Sequence, residues 1–276
     1  MKPSVLVAAG CSWVSAKYID RDPNADTIDF EHVEDPAVVN EYSFAGQLQR
    51  RLGFDQLELL ASSGSNNDQQ SKRIVEFVDN NRNKYSSIFV LWGLTSLYRW
   101  DMYSESTEDV KSCVYGMPAH RSVHSQEKFE QEVKTYFTLF WNREYELEKL
   151  GQKVLLLDGY LNSLKINHLF FNSFQSYTDQ DLKIKHIGDN HFYNIKQENN
   201  DMLSLLQKHT KIKTNKNKNW LNLFVDKDKQ LNGPNIKDLQ NSGWLDRATA
   251  HPTIKSHQVI ADKLYDFVKE KHHGRI

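Results

Sequence analysis

Three short stretches place hydroxyl or small residues where an apolar run stops, "GCSW" at 10–13, "SSGSNN" at 62–67 and "WGLTS" at 92–96, and a fourth, "HP" at 251–252, places an imidazole before the last helical segment. A serine hydroxyl is a weak nucleophile until a base takes its proton, and a histidine with a pKa of about 6.5 does this at neutral pH. Ser12 stands just past the run "VLVAA", where Gly10 lets the backbone turn and a following hydroxyl can be exposed. His251 stands at the mouth of the last helical segment. Serine and histidine together point to acyl transfer. Cys11 is an alternative nucleophile, although a small packed residue after a strand is the commoner role for cysteine.

The elements that must position these residues follow from periodicity. "SVLVAAG" is a short, continuous apolar run with β-branched valines and a glycine stop, which predicts a buried strand. Its lysine, apolar run and cysteine also resemble a lipoprotein signal, but about seven apolar residues is the bottom of the range for one, so a first core strand is expected. Residues 14–40 are polar and predict a long loop. Phe44, Leu48 and Leu52 predict a helix ending at Gly53, and Ile74, Val75 and Val78 predict a second. "LELLASSGSNND" and "SSIFVLWGLTSLYRW" predict the second and third strands, the third breaking at Gly93. "GQKVLLLDGY" predicts a fourth, after a helical region over 126–150. The terminal helix is marked by Pro252 at its start and by Ile260, Leu264, Phe267 and Val268. Strands alternating with helices of crossover length predict a parallel sheet covered on both faces. In such a sheet, ligands bind beyond the carboxyl ends of the strands, where all four stretches fall.

Taken in order, the four stretches resemble the sequence blocks of the SGNH (GDSL-type) hydrolases. The resemblance implies a flavodoxin-like three-layer α/β/α sandwich over a single domain, 1–276, with a long insertion or cap at 161–245 before the last helix. It further implies an ester hydrolase without metal or cofactor, acting on a small ester or an acylated carbohydrate. Residue by residue, Ser12 is the nucleophile and Gly64 offers its N–H to the oxyanion. Asn67 braces that loop, Thr95 is a third oxyanion donor, and His251 is the base. The chain departs from the family at Cys11, where aspartate is usual, and at Thr95, where asparagine is common. It departs again at Ala248, where the acid three residues before the histidine normally stands. Asp246 is then the nearest carboxylate for the triad, and a Ser-His dyad is the alternative.

These departures support a second function class, a hydrolase fold that has lost its chemistry and serves as a structural or binding protein. The "GCSW" and "GSNN" variants also resemble chains of tailed phages and marine bacteria, which implies a virion-associated or cytoplasmic protein with virion proteins or a second copy as partners. The 35 Lys+Arg against 36 Asp+Glu give a formal net charge of -1, so no global field favours nucleic acid or an anionic membrane. No apolar run approaches the roughly 18 residues of a membrane span. Two cysteines exclude a disulfide framework. "TNKNKN" lacks interleaved aromatics and predicts a solvated loop rather than a nucleic-acid patch, and His272 and His273 predict a polar tail rather than a metal site. No strand ends in GxGxxG or GxxxxGK[ST], which disfavours a nucleotide binder. Tyr98, Arg99 and Trp100, just past the third strand, are candidates to stack on a sugar ring.

Overall fold

The first strand, β1 (Ser4–Ala9), is the centre of the molecule: Val5 to Ala9 are all sealed from solvent. A computed structural model describes residues 2–16, 36–104, 109–114, 135–136, 138–173, 175–185, 187–211, 236–245 and 251–272. β1 pairs in parallel with β2 (Gln56–Leu59) on one side and with β3 (Ser87–Leu94) on the other. Across the sheet, β3 then pairs in parallel with a later strand, Asn167–Asn172. A separate antiparallel hairpin, β4 (Arg99–Ser104) and β5 (Asp109–Val114), rises from the end of β3, so the later strand is β6. The central order is β2-β1-β3-β6, all parallel, in a flavodoxin-like α/β/α arrangement.

Alternation along β1 divides the core into two layers. Val5, Val7 and Ala9 pack with Ile74 and Val78 of a helix spanning Asn67–Asn81 and with Val154 and Leu157 of one spanning Arg143–Ser163. Leu6 and Ala8 face the other way, against Phe44 and Leu48 of the helix Phe44–Leu52, Leu203 and Leu206 of Met202–Thr210, and Ile260 and Leu264 of Ile254–Lys271. Each such buried aliphatic side chain contributes about 1.5–3 kcal/mol. The helices whose bounds lie within the described residues are, in chain order, α1 (Ser12–Ser15), α2 (Pro36–Tyr42), α3 (Phe44–Leu52), α4 (Asn67–Asn81), α5 (Arg143–Ser163), α6 (Asp179–Leu182), α7 (Met202–Thr210), α8 (Ile236–Asn241) and α9 (Ile254–Lys271).

Three expectations need correction. "GQKVLLLDGY" is not a strand but the middle of α5, where Leu147, Leu150, Val154, Leu157 and Leu161 are buried at helical spacing and Leu156 is exposed. A run of four apolar residues hides that period. Gly151 sits within α5 because a Cβ there would lie 1.9 Å from the Leu182 carbonyl oxygen. The fourth strand is instead "NHLFFN", so the segment 161–245 is not simply a cap: it carries β6 and the core helix α7. Finally, β3 does not break at Gly93 but continues to Leu94. The segment around Phe192 occupies the place beside β6, where the Phe170 N–H donates to the His191 carbonyl and the Tyr193 N–H to the Phe170 carbonyl, both at 2.8 Å. Among the described residues, no helix is long and apolar enough to cross a membrane.

Candidate active site

Gly10 lets the chain leave β1 toward the site, because any Cβ there would lie 2.2 Å from Val14 Cγ2 and 3.3 Å from the Gly93 carbonyl oxygen. The chain closes at once into α1, whose Val14 and Ser15 N–H groups donate to the Cys11 carbonyl. Ser12 is the first residue of that turn. Its Oγ lies 2.7 Å from His251 Nε2, although the two residues are 239 positions apart.

The histidine is held from behind. Pro252 pairs with Leu245 in an isolated antiparallel bridge, the Thr253 N–H donates to the Trp244 carbonyl at 3.2 Å, and Thr253 Oγ1 donates to the Gly243 carbonyl at 3.0 Å. His251 Nδ1 is turned inward, away from solvent. With Nε2 accepting from the serine, the proton of the neutral ring belongs on Nδ1. Asp246, expected as the acid, and Ala248 lie outside the described residues.

A second imidazole lies beneath the first. His257, one turn into α9, is buried and accepts from the Phe44 N–H through Nδ1 at 3.3 Å while stacking on the Phe44 ring. Burial, and then the nearby His251, push its pKa down to about 3. It therefore stays uncharged at neutral pH, and an imidazolium formed on His251 meets no second positive ring.

The turn carrying Gly64 docks on the carbonyl of Gly10, which accepts from the Ser62 N–H at 3.1 Å and from Ser65 Oγ at 2.9 Å. Gly64 itself takes a φ of 76°, the left-handed conformation that favours glycine. Among the described residues, neither the Ser12 N–H nor the Gly64 N–H donates to a protein acceptor. Asn67 spends both ends of its amide on the main chain of Thr95, accepting from its N–H at 2.9 Å and donating to its carbonyl at 3.1 Å. The second and third blocks are thereby tied together. The Thr95 hydroxyl is fully buried and, among the described residues, has no hydrogen-bond partner.

Several positioning residues escape sequence reasoning. Gln70 is fully buried, accepts from Trp92 Nε1 at 2.8 Å, and donates to the Ser65 carbonyl at 3.2 Å and Ser65 Oγ at 3.1 Å, bolting the Gly64 turn to β3. Asp101 accepts from Asn66 Nδ2 at 2.6 Å and from Gln69 Nε2 at 2.9 Å at the start of α4. His257 could have been suspected only from its place six residues after His251. Tyr98, expected on a sugar, is buried and stacks on Trp141 at 4.8 Å between centroids. Arg99 turns back to the Ser65 carbonyl at 3.4 Å, and the Trp100 side chain lies outside the described residues. An open groove of about 650 Å³ lined by Arg51, Asp262 and Tyr265 touches neither Ser12 nor His251.

The arrangement supplies a serine hydroxyl paired with an imidazole, and beside it the Ser12 and Gly64 N–H groups, which donate to no acceptor among the described residues. That combination can activate a nucleophile and receive negative charge on an oxygen. No family model matches the chain, and no curated protein matches it.

Proposed function

We propose that the protein is a serine ester hydrolase of the SGNH type, acting on a small ester or an acyl group carried by a carbohydrate. The observation that carries this reading is the 2.7 Å contact between Ser12 Oγ and His251 Nε2 at the carboxyl end of β1. In this mechanism His251 Nε2 takes the hydroxyl proton as Oγ attacks the ester carbonyl carbon. The oxyanion is held by the N–H groups of Ser12 and Gly64. His251 then gives its proton to the leaving alcohol as the carbon–oxygen bond breaks, leaving an acyl-serine. Water, deprotonated by the same imidazole, releases the acid and restores Ser12. His257 supports the cycle by remaining neutral beside the transient imidazolium.

The test is labelling with a fluorophosphonate probe, together with hydrolysis of p-nitrophenyl acetate and an O-acetylated polysaccharide, in the wild type and Ser12→Ala. The wild type should label and turn over, and the variant should do neither. Equal rates in both proteins, or an unlabelled wild type, would remove Ser12 from the chemistry.

A second reading is favoured by one observation: the Thr95 hydroxyl is sealed inside and the Asn67 amide is committed to the main chain of Thr95. Two main-chain donors then remain, and each missing donor costs about 100- to 1,000-fold in rate. A slow enzyme, or an inactive scaffold serving as a structural or virion-associated protein, follows from that arrangement. Mass spectrometry of purified phage particles tests the packaged alternative.

A further inference from the structure

At the edge strand β6, two strands away from β1 in the sheet, three side chains from three elements converge on one point. Asp158 belongs to α5, His168 is the second residue of β6, and His191 precedes the Phe192 bridge that extends the sheet. Asp158 Oδ1 lies 2.8 Å from His168 Nε2 and 2.7 Å from His191 Nδ1. The His168 side chain is completely buried, whereas Asp158 and His191 retain 16% and 20% exposure, which leaves one open side.

The hydrogen bonds around this point determine what it can hold. His168 Nδ1 lies 3.0 Å from the Ile166 carbonyl oxygen, which can only accept, so Nδ1 carries a proton. The Nε2 of the neutral ring then aims a lone pair at a carboxylate oxygen. Two lone pairs at that distance repel, and a positive centre must lie between them: a second proton or a metal ion. A proton on Nε2 would join His168 and Asp158 as an ion pair, with His191 Nδ1–H donating to the same oxygen; a metal ion would instead gather the three groups as ligands.

The outer contacts are those that orient metal ligands. The second ring nitrogen of His168 is spent on a backbone carbonyl, and Asp158 Oδ2 accepts from Asn162 Nδ2 at 3.0 Å. The His191 ring is backed by His272, with centroids 6.4 Å apart and planes 19° from parallel.

We propose that Asp158, His168 and His191 form a binding site for one divalent transition-metal ion of the zinc class. Two imidazole nitrogens and one carboxylate oxygen are a donor set that suits zinc, with the open side leaving a position for water. Bonds of about 2.0–2.1 Å in tetrahedral geometry set the ligand atoms about 3.4 Å apart, so each nitrogen would retreat by about 0.6 Å. The ion clamps α5, β6 and the edge segment to one another. It is remote from the ester chemistry, because β6 runs parallel to β3 and β1 and His168 lies near its start while Ser12 follows the end of β1.

The test uses the full-length protein, stripped with EDTA and dialysed against ZnCl2 or CoCl2. The wild type should retain one equivalent by elemental analysis, and Co2+ should show the intense visible absorption of a four- or five-coordinate ion. His191→Ala, at the part-exposed ligand, should weaken binding at least about 10-fold with an unchanged near-ultraviolet circular dichroism spectrum. Ser12→Ala should bind as the wild type does. No retained equivalent, the weak spectrum of hydrated Co2+, or equal binding by His191→Ala would overturn the proposal and leave a proton-bridged ion pair only.

Discussion

His257 makes the stability of the fold depend on pH in a way that can be calculated. Its ring is buried against Phe44, and its pKa falls from 6.5 to about 3 because desolvation and then His251 oppose its charge. In the unfolded chain the same ring takes a proton as pH falls below about 6.5, while the folded ring does not. The unfolded state therefore binds more protons between pH 6.5 and 3, and stability contributed by the neutral ring is full above 6.5 and lost progressively through that window. Each pH unit below 6.5 costs about 1.4 kcal/mol, so urea denaturation at pH 5 should show about 2 kcal/mol less stability from this residue than at pH 7. Asp158, whose pKa is lowered from 3.8, loses its contribution only at lower pH and leaves that comparison undisturbed. His257→Asn removes the titration and keeps a polar side chain near the Phe44 N–H, so its absolute stability drops while its fall from pH 7 to pH 5 shrinks by about 2 kcal/mol. Identical pH dependence in the two proteins would refute the reasoning, since the buried ring would then be titrating as it does in water.

Gln70→Leu leaves Trp92 Nε1 without its buried acceptor and removes one of the two donors on the Ser65 carbonyl, and should cost about 1–3 kcal/mol in thermal or urea unfolding. Combined with Trp92→Phe, it should lose much less than the two single changes added together, because they remove the same hydrogen bond; full additivity would show that the pair is not coupled. Gly10→Ala sets a methyl group 2.2 Å from Val14 Cγ2 and should cost about 1–3 kcal/mol while moving α1. Its fluorophosphonate labelling of Ser12 should fall more than its melting temperature suggests, and normal labelling would show that the turn tolerates a side chain.

The legible part of the sequence was local. The valine run of β1, the spacing of Phe44 and Leu48 with Gly53 behind them, and the terminal helix with Ile260 and Leu264 were readable because strand and helix periods are written within a few residues. The α/β class and the positions of Ser12 and His251 at loop mouths followed from those periods. The run "VLLL" within α5 was not readable, because four consecutive apolar residues satisfy both periods and only packing against the sheet chooses between them.

Residue types and local periods thus determined a parallel α/β sheet with a serine and a histidine at its loop ends. Tertiary structure decided that these two meet at 2.7 Å, that Asn67 spends its amide on Thr95, and that Gln70 and Trp92 bolt the Gly64 turn in place. It also brought Asp158, His168 and His191 onto one oxygen from three elements with no motif spacing. Contacts between distant positions depend on how whole elements pack, and packing is a property of burial summed over the sheet rather than of any short stretch of chain.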